Sequence, residues 1–508
     1  MKILNRQQLR DKINGCWEGK NIGGVYGAPF EMTRELINVD FYTQDLTKGV
    51  PANDDLDLQL IWLNACEKFG TAINADILAE YWLAYEAGNC SEYGIAKQNL
   101  TYGLRPPLSG AVGNHFKNSN GAFIRSELWA CLNPGNPNGA VRLAYEDASV
   151  DHAHEGIYAE AFCAALESAA FFESDIEKLI EIGLSYIPSE SAVYGAIELV
   201  KKLHGEGKTI EQVRENLLTV YPSFFGIWNK HPWEVKEKFP LGELGFDAPV
   251  HVGIIVASLL FGAGDFEKSI VTAVHCGEDA DCTAATVGAM IGIIKGGSGL
   301  PEKWKKPLGK KIETLFINRT MCLNVPENTE QLTERVLRLL PIYNDGERCV
   351  IDDSGLYMKP ASEQIYDSRD LYFVGNYGME DMKVHDLLKL APYKKLYKNP
   401  IFHAIVNYGK DPFIKLNETV KLGLTLINQN FEHTKYCICV KVMADDGVVL
   451  NTGKYMRAVV ANNYQTHSDM EIEFTVTEQH APYVDIYLDI TVEGKATNEV
   501  IKCRYFFE

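Results

Sequence analysis

His275-Cys276-Gly277-Glu278-Asp279-Ala280-Asp281-Cys282-Thr283 follows one apolar stretch and runs straight into another, the small-residue segment Ala284 to Ile294. Apolar flanks on both sides place these carboxylates between buried elements, and buried carboxylates that repel one another need a compensating cation. A second acidic run, Pro51-Ala52-Asn53-Asp54-Asp55-Leu56-Asp57, leads in the same way into the apolar spacing that begins at Leu56. Taken alone, Asn53-Asp54-Asp55 also reads as a helix cap, because side-chain oxygens satisfy free backbone N–H groups and favour the positive helix end. Taken together, hard oxygen donors at two helix starts suit Mg²⁺, Mn²⁺ or Ca²⁺, and two such starts facing each other hold a pair of ions about 3.5–4 Å apart. Zinc finds no support in the sequence: HExxH and paired-cysteine spacings are absent, and His152-Ala153-His154 reads as a packing or hydrogen-bonding pair.

Outward from these runs the apolar spacing is helical from residue 7 to about 340, as in Leu56, Leu60, Leu63 and in Ile157, Phe162, Ala165, Leu166, Ala169. Further helices are expected at 192–204, 250–262, 283–295, 303–316 and 329–340. The Gly/Asn/Pro-rich passage 101–121 and the run Asn133 to Gly139 break the rhythm with turn formers and are expected to border a cleft. Past about residue 345 the period becomes two: Val420, Leu422, Leu424, Leu426 alternate with mostly polar neighbours, as do Tyr436 to Val442, Met470 to Val476 and Val484 to Ile490. Asp446-Gly447 and Glu493-Gly494 supply turns between such runs. The expected architecture is a helical domain over 1–345, a linking region over 346–400 and a separate β domain, a sandwich of about seven short strands, over 401–508.

The 508 residues exceed one typical core, at roughly 150 residues per domain. With 46% hydrophobic and 23% charged residues the chain has ample apolar side chain to bury, which excludes disorder, collagen and a coiled coil. A net charge of −19 repels phosphate backbones and anionic membranes, so neither nucleic acid nor membrane is expected as a partner. The N-terminus turns polar at Asn5, without the apolar stretch of a secretory signal, and Ala248 to Ala263 falls short of the ~20 residues that cross a bilayer. Twelve cysteines, set singly apart from Cys437 and Cys439, fit reduced thiols, and a cytoplasmic location is expected.

Five segments follow one another within about residues 11–305. They are Gly15-Cys16-Trp17-Glu18-Gly19 through Gly23-Gly24-Val25-Tyr26-Gly27-Ala28-Pro29-Phe30-Glu31, then Asn53-Asp54-Asp55, Asn120-Gly121-Ala122-Phe123-Ile124-Arg125, Asp151-His152, and Gly277-Glu278-Asp279-Ala280-Asp281-Cys282. In that order they resemble the ADP-ribosylglycohydrolase family: its glycine-rich opening helix and loop, its Thr-Asp-Asp metal motif, its Asn-Gly-Ala-x-x-Arg segment, its central Ser/Thr-His pair and its Gly-Gly-Asp-Thr-Asp-Thr motif. The resemblance implies an all-α orthogonal bundle with a binuclear Mg²⁺ site in a cleft, Mn²⁺ being the alternative ion. It implies a hydrolase of an N- or O-ribosyl bond, acting on a small-molecule or protein-linked ADP-ribosyl substrate. By the same resemblance Asn53, Asp54, Asp55, Asp279 and Asp281 hold metal, and Glu31 and Asp55 are the catalytic carboxylates, Glu31 doing acid–base work. The Asn120-Gly121 loop would cradle the distal phosphates through backbone N–H groups, and His152 would line the cleft beside the sugar or support it by a hydrogen bond.

The chain also departs from the family pattern. Asn53 stands for the usual Thr, Gly24 stands where many members carry Asp, and Glu278 adds a carboxylate where Gly or another neutral residue is usual. Leu56 and Cys282 fall where the family often supplies a hydroxyl, and a thiol is a soft match for Mg²⁺. Two other readings therefore stay open: a hydrolase of a different glycoside or nucleoside on the same fold, and a non-catalytic or structural member that binds ADP-ribose-like ligands. Retention of Asp54, Asp55, Asp279 and Asp281 speaks against the latter. The β domain, with Tyr455, Tyr464 and Tyr483 along its strands, is expected to be an accessory or dimerisation module, and the oligomeric state is left open.

Overall fold

Asn5 starts the first helix, Arg6–Gly27, with a reciprocal cap: its side chain accepts from the Gln8 N–H while the Gln8 side chain accepts from the Asn5 N–H. Along this helix Gly15, Gly19, Gly23 and Gly27 recur every four residues and so share one face. That face lies directly on the backbone of the helix Ala280–Lys295. A Cβ on Gly15 would stand 2.3 Å from the Gly292 carbonyl oxygen, on Gly19 2.1 Å from that of Gly288, and on Gly23 2.0 Å from that of Ala284. Pairing Gly15 with Gly292 and Gly27 with Ala280 makes the two helices antiparallel, so the end of the first meets the start of the second.

The structure is a computed structural model and describes residues 3–52, 54–222, 246–318, 323–353, 355–361, 392–399, 401–428, 436–460 and 467–508. The chain divides into two compact units, Met1–Arg369 and Asp370–Glu508. In the first, helices Asp57–Phe69, Ser126–Leu132, Pro137–Ala148, Glu155–Ala170, Ala192–Gly205, Ala248–Gly262 and Thr329–Tyr343 accompany the glycine-paired couple. Its core holds Trp17, Trp62, Trp82, Trp129 and Trp304, all fully buried. The helix expected over 303–316 ends at Leu308 instead. Gly309 turns left-handed there at φ 66°, and the Leu315 and Phe316 N–H groups donate to the Asp57 carboxylate rather than to a helix ladder. Nor is the unit purely helical: Leu4–Asn5 pairs with Gly355–Met358, which pairs with Cys349–Asp352, so part of the expected link is strand. Residues 362–391 of that link, Tyr464 and Asn53 lie outside the described residues.

The second unit contains two five-stranded sheets. One runs in the order Tyr455–Val460, Tyr436–Ala444, Tyr483–Val492, Asn498–Phe507, Phe413–Ile414, and the other in the order Lys394–Lys398, Phe402–Asn407, Thr419–Asn428, His467–Val476, Val448–Leu450. All pairs are antiparallel except the short one between Asn498–Phe507 and Phe413–Ile414. Alternation sets which side chains are buried: Leu422, Leu424 and Leu426 of one sheet and Ile486, Leu488 and Ile490 of the other belong to a single apolar cluster. Among the described residues no helix is long and apolar enough to cross a membrane.

Backbone contact between the paired helices leaves no room for a methyl group. Gly19→Ala is expected to lower the unfolding free energy by about 3 kcal/mol in urea titrations followed by circular dichroism. Gly205→Ala, whose Cβ would meet nothing within 4 Å, is expected to leave stability unchanged or raise it.

Candidate active site at two helix starts

Asp54 and Asp55 lie on the single 3₁₀ turn Asp54–Leu56 that precedes the helix Asp57–Phe69. Asp279 occupies the N-cap position of Ala280–Lys295, with Asp281 and Cys282 in its first turn. Neither helix carries a side-chain cap hydrogen bond, so these acids do not serve as the caps their positions allow. They converge instead. Glu31, Asp279 and Asp281 each bring a carboxylate oxygen within 4.8 Å of one another, and Asp55, Asp281 and the Cys282 sulfur do the same. Asp281 belongs to both groups. Asp55, Asp279 and Asp281 are each 3% exposed, whereas Glu31 lies at the exposed rim.

Three local devices aim these groups. The Asn120 amide donates to Asp279 Oδ2 at 2.6 Å, and the Asp279 N–H donates to His251 Nε2 at 3.3 Å. His251 Nδ1 lies 2.7 Å from the Asp247 carbonyl, a pattern that puts the imidazole proton on Nδ1 and leaves Nε2 to accept. The Arg34 guanidinium meets both Glu278 oxygens at 2.9 Å, and the Glu278 N–H donates to the Thr33 carbonyl at 2.7 Å, which ties the Glu31–Arg34 segment to the acidic helix start. Beneath Asp55, Gln59 Nε2 donates to the Asp55 carbonyl at 3.2 Å and to Glu127 at 2.9 Å, and Glu127 is paired with the fully buried Lys20 at 2.7 Å.

Charge is crowded here beyond what these partners answer. Burial, then Asp279, Asp54 and Asp55, push the Glu31 carboxyl up to about 8. Burial and the adjacent Asp55 push Asp54 up to about 7. Burial and neighbouring carboxylates also raise Asp281 and the Cys282 thiol well above their ordinary ranges. Asp279 Oδ1 and Asp281 Oδ1 are buried with no hydrogen-bond partner. Buried oxygens of this kind, aimed at one another in triads, fit a cation, and hard carboxylate donors fit a divalent one.

The expected residues fall into three groups. Asp55, Asp279, Asp281 and Glu31 come together, with Cys282 among them, while Asp54 belongs to neither triad but is close enough to raise the Glu31 carboxyl. Asn120 adjoins them, but its backbone N–H, expected to face phosphate, donates to the Phe246 carbonyl at 2.7 Å, while its side chain holds Asp279. Gly121 packs against the Glu92 carboxylate, which a Cβ would approach to 2.2 Å. His152 is fully buried, with Nε2 2.9 Å from the Ser119 hydroxyl and Nδ1 2.8 Å from an Asp151 oxygen but out of line for a hydrogen bond, so its ring lies inside the protein. Asp151 in turn takes the Arg125 guanidinium at 2.8 and 3.0 Å. Burial alone would raise the Asp151 carboxyl, but Arg125 and His152 outweigh it and hold it down to about 2. Glu278 faces Arg34 and Arg214 rather than the cluster. Sequence reasoning missed His251 and Arg34. A lone histidine inside the apolar run Ala248–Gly262 was the available signal for the first; the second pairs across 244 positions and leaves no local trace.

Residues 5–340 match the family described as ADP-ribosylglycohydrolase, and the chain belongs to that family, whose members are glycohydrolase enzymes. It is similar to ADP-ribosylarginine hydrolase Tri1 of Pseudomonas putida (strain GB-1), at 22% identity over 320 residues that cover 59% of this chain and 75% of that protein. Among solved structures, a chain of an ADP-ribosylglycohydrolase-related protein complex aligns over 66% of this chain and 100% of its own, with TM-score 0.42 and 18% identity. A FixG-related protein from Vibrio parahaemolyticus aligns over 18% of this chain and 81% of its own, with TM-score 0.15 and 8% identity.

Removing Arg34 leaves the buried Glu278 carboxylate with only Arg214, 3.6 Å away, at a residue whose φ of 62° disfavours any side chain. Arg34→Ala is expected to cost about 3–4 kcal/mol in denaturant unfolding, and adding Glu278→Gly to recover most of it. The acidic cluster also sets a pH dependence. A raised carboxyl pKa means that the folded chain keeps a proton the unfolded chain has lost, so in chelator stability falls as pH rises from 4.5, the ordinary value, to about 8. Thermal unfolding across that window is expected to show a shallower decline for Glu31→Gln than for the unaltered chain.

Proposed function

We propose that this chain hydrolyses the glycosidic bond between an ADP-ribosyl group and a nitrogen or oxygen of a protein side chain or small molecule, with two divalent cations, Mg²⁺ or Mn²⁺, in the acidic cluster. The observation that carries this reading is Asp281, whose carboxylate belongs to two ligand triads at once, as a group between two ions must. Membership of the ADP-ribosylglycohydrolase family supports it, and the similarity to an ADP-ribosylarginine hydrolase makes arginine the first acceptor to test.

Asp54, Asp55, Asp279 and Asp281 would hold the ions, with Asn53 as the further ligand that the family resemblance implies. Ions bound there would polarise the ribose hydroxyls and a water. The remaining work falls to the chain's own groups. Glu31 stands at the rim, where a substrate reaches it, and its carboxyl would exchange a proton with the departing nitrogen or oxygen. As the bond at the anomeric carbon lengthens, positive charge on the sugar is met by the carboxylate cluster. Asn120 and His251 keep Asp279 aimed inward while this happens. The two sheets that share one apolar cluster we read as a β-sandwich accessory domain over 401–508 that takes no part in the chemistry.

The test is release of ADP-ribose from ADP-ribosyl-arginine with Mg²⁺ or Mn²⁺ and after chelation. Asp55→Ala combined with Asp279→Ala is expected to lower the rate at least about 100-fold, and an unchanged rate overturns the mechanism. Calorimetric titration of ADP-ribose should show binding with metal and none after chelation. No binding in either condition moves the substrate to another glycoside.

A further inference from the structure

Both departures in the second acidic motif lie beside the cluster, but only one enters it. Glu278 turns away to Arg34 and Arg214, whereas the Cys282 sulfur lies within 4.8 Å of carboxylate oxygens of Asp55 and Asp281. No hydroxyl at this helix start substitutes for it: Thr283 Oγ1 is buried and donates to the Asp279 carbonyl at 3.0 Å. The nearby cations are engaged elsewhere, Lys20 with Glu127, Arg34 with Glu278, and Arg125 with Asp147 and Asp151. Asp281, whose carboxylate shares this triad with the sulfur, has its Oδ1 buried without a hydrogen-bond partner.

We propose that Cys282 is the third protein donor, with Asp55 and Asp281, to one of the two cations, and that its sulfur makes this site prefer Mn²⁺ and other thiophilic divalent ions over Mg²⁺. The proposal rests on the metal reading given above and adds the identity of the metal. Zn²⁺ binds thiolate sulfur at about 2.3 Å and carboxylate oxygen at about 2.0–2.2 Å, which sets donors around one such ion some 3–4 Å apart. The donor atoms of the triad, all within 4.8 Å of one another, lie near that spacing. On binding, the thiol proton passes to solvent and the sulfur lone pair to the metal; no electron is transferred. Mg²⁺ holds water and hard oxygen donors and gains little from sulfur, whereas Mn²⁺, Co²⁺ and Zn²⁺ gain progressively more. A serine or threonine at this position would present an oxygen and remove the discrimination.

The experiment is a Co²⁺ titration of the full chain, read by near-ultraviolet absorption, with Mn²⁺ and Mg²⁺ affinities from calorimetry. Cys437→Ser and Cys439→Ser are included throughout, because those thiols and Glu493 form a separate soft triad on the sheet unit. A thiolate-to-Co²⁺ charge-transfer band is expected, and Cys282→Thr should abolish it while lowering the ratio of Mn²⁺ to Mg²⁺ affinity by about tenfold or more. Cys282→Ser is the second variant, and the band in the Cys282 chain is a readout independent of either variant's folding. Co²⁺ binding without the band, or an affinity ratio unchanged by both substitutions, overturns the proposal and leaves the hydrolase reading standing. Absence of any divalent-ion binding at the cluster overturns both.

Discussion

Two helices whose backbones touch are the constraint on which the rest of this site depends. Gly15, Gly19, Gly23 and Gly27 against Gly292, Gly288, Ala284 and Ala280 allow no intervening side chain, so the register is fixed by contact between main chains rather than by interdigitated rotamers. Shifting one helix along the other by a residue would bring side chains such as Cys16 or Trp17 into that seam. With the register fixed, the loop that follows Gly27 must leave beside Ala280, and this brings Glu31 to Asp279 and Asp281. A carboxylate from the start of the chain and two from about 250 residues later are joined through atoms that carry no chemistry of their own.

The buried charges divide along the same lines. Lys20 with Glu127, Arg125 with Asp151, and Arg34 with Glu278 are buried pairs at 2.7–2.9 Å. Such pairs add little net stability but are costly to break, which makes them devices for holding position. Each grips a segment that carries a cluster residue: Lys20 and Glu127 through Gln59 to the Asp55 turn, Arg34 to the Glu31 loop, Arg125 to the Gly121 carbonyl at 3.2 Å beside Asn120. The cluster in the middle is left with the excess. Its carboxyls are therefore pushed upward rather than down, Glu31 to about 8 and Asp54 to about 7, an excess that a bound cation would offset.

What could be read from the sequence follows from the range of each interaction. Period-two alternation predicts Thr419–Asn428, Tyr436–Ala444, His467–Val476 and Tyr483–Val492 to within a few residues, because burial on one sheet face is a local pattern. Helices such as Ala192–Gly205 and Thr329–Tyr343 are legible for the same reason. The expectation over 303–316 fails where a distant group intervenes, Asp57 capturing the backbone at Leu315 and Phe316. At the site, the acids Asp54, Asp55, Asp279 and Asp281 were legible as clusters, whereas the hold on Asp279 by Asn120 and His251 spans 159 and 28 positions and left no spacing to read. The four-residue glycine period of the first helix was visible, but the sequence alone does not say what presses against it.

A motif departure acquires meaning only from the direction its backbone gives it. At position 278 φ is 62°, a left-handed conformation that glycine adopts without strain, which accounts physically for the family's glycine there. A glutamate in that conformation turns to Arg34 and Arg214, and its charge is neutralised outside the cluster. Position 282 lies in regular helix one residue after Asp281, and its side chain shares a triad with Asp55 and Asp281. The more conspicuous change, an added carboxylate in an acidic motif, is therefore structural, while the quieter exchange of a hydroxyl for a thiol would alter the donor set of the proposed metal site. Because sulfur and oxygen donors rank divalent ions differently, the proposed preference for Mn²⁺ over Mg²⁺ rests on one atom at the first turn of a helix.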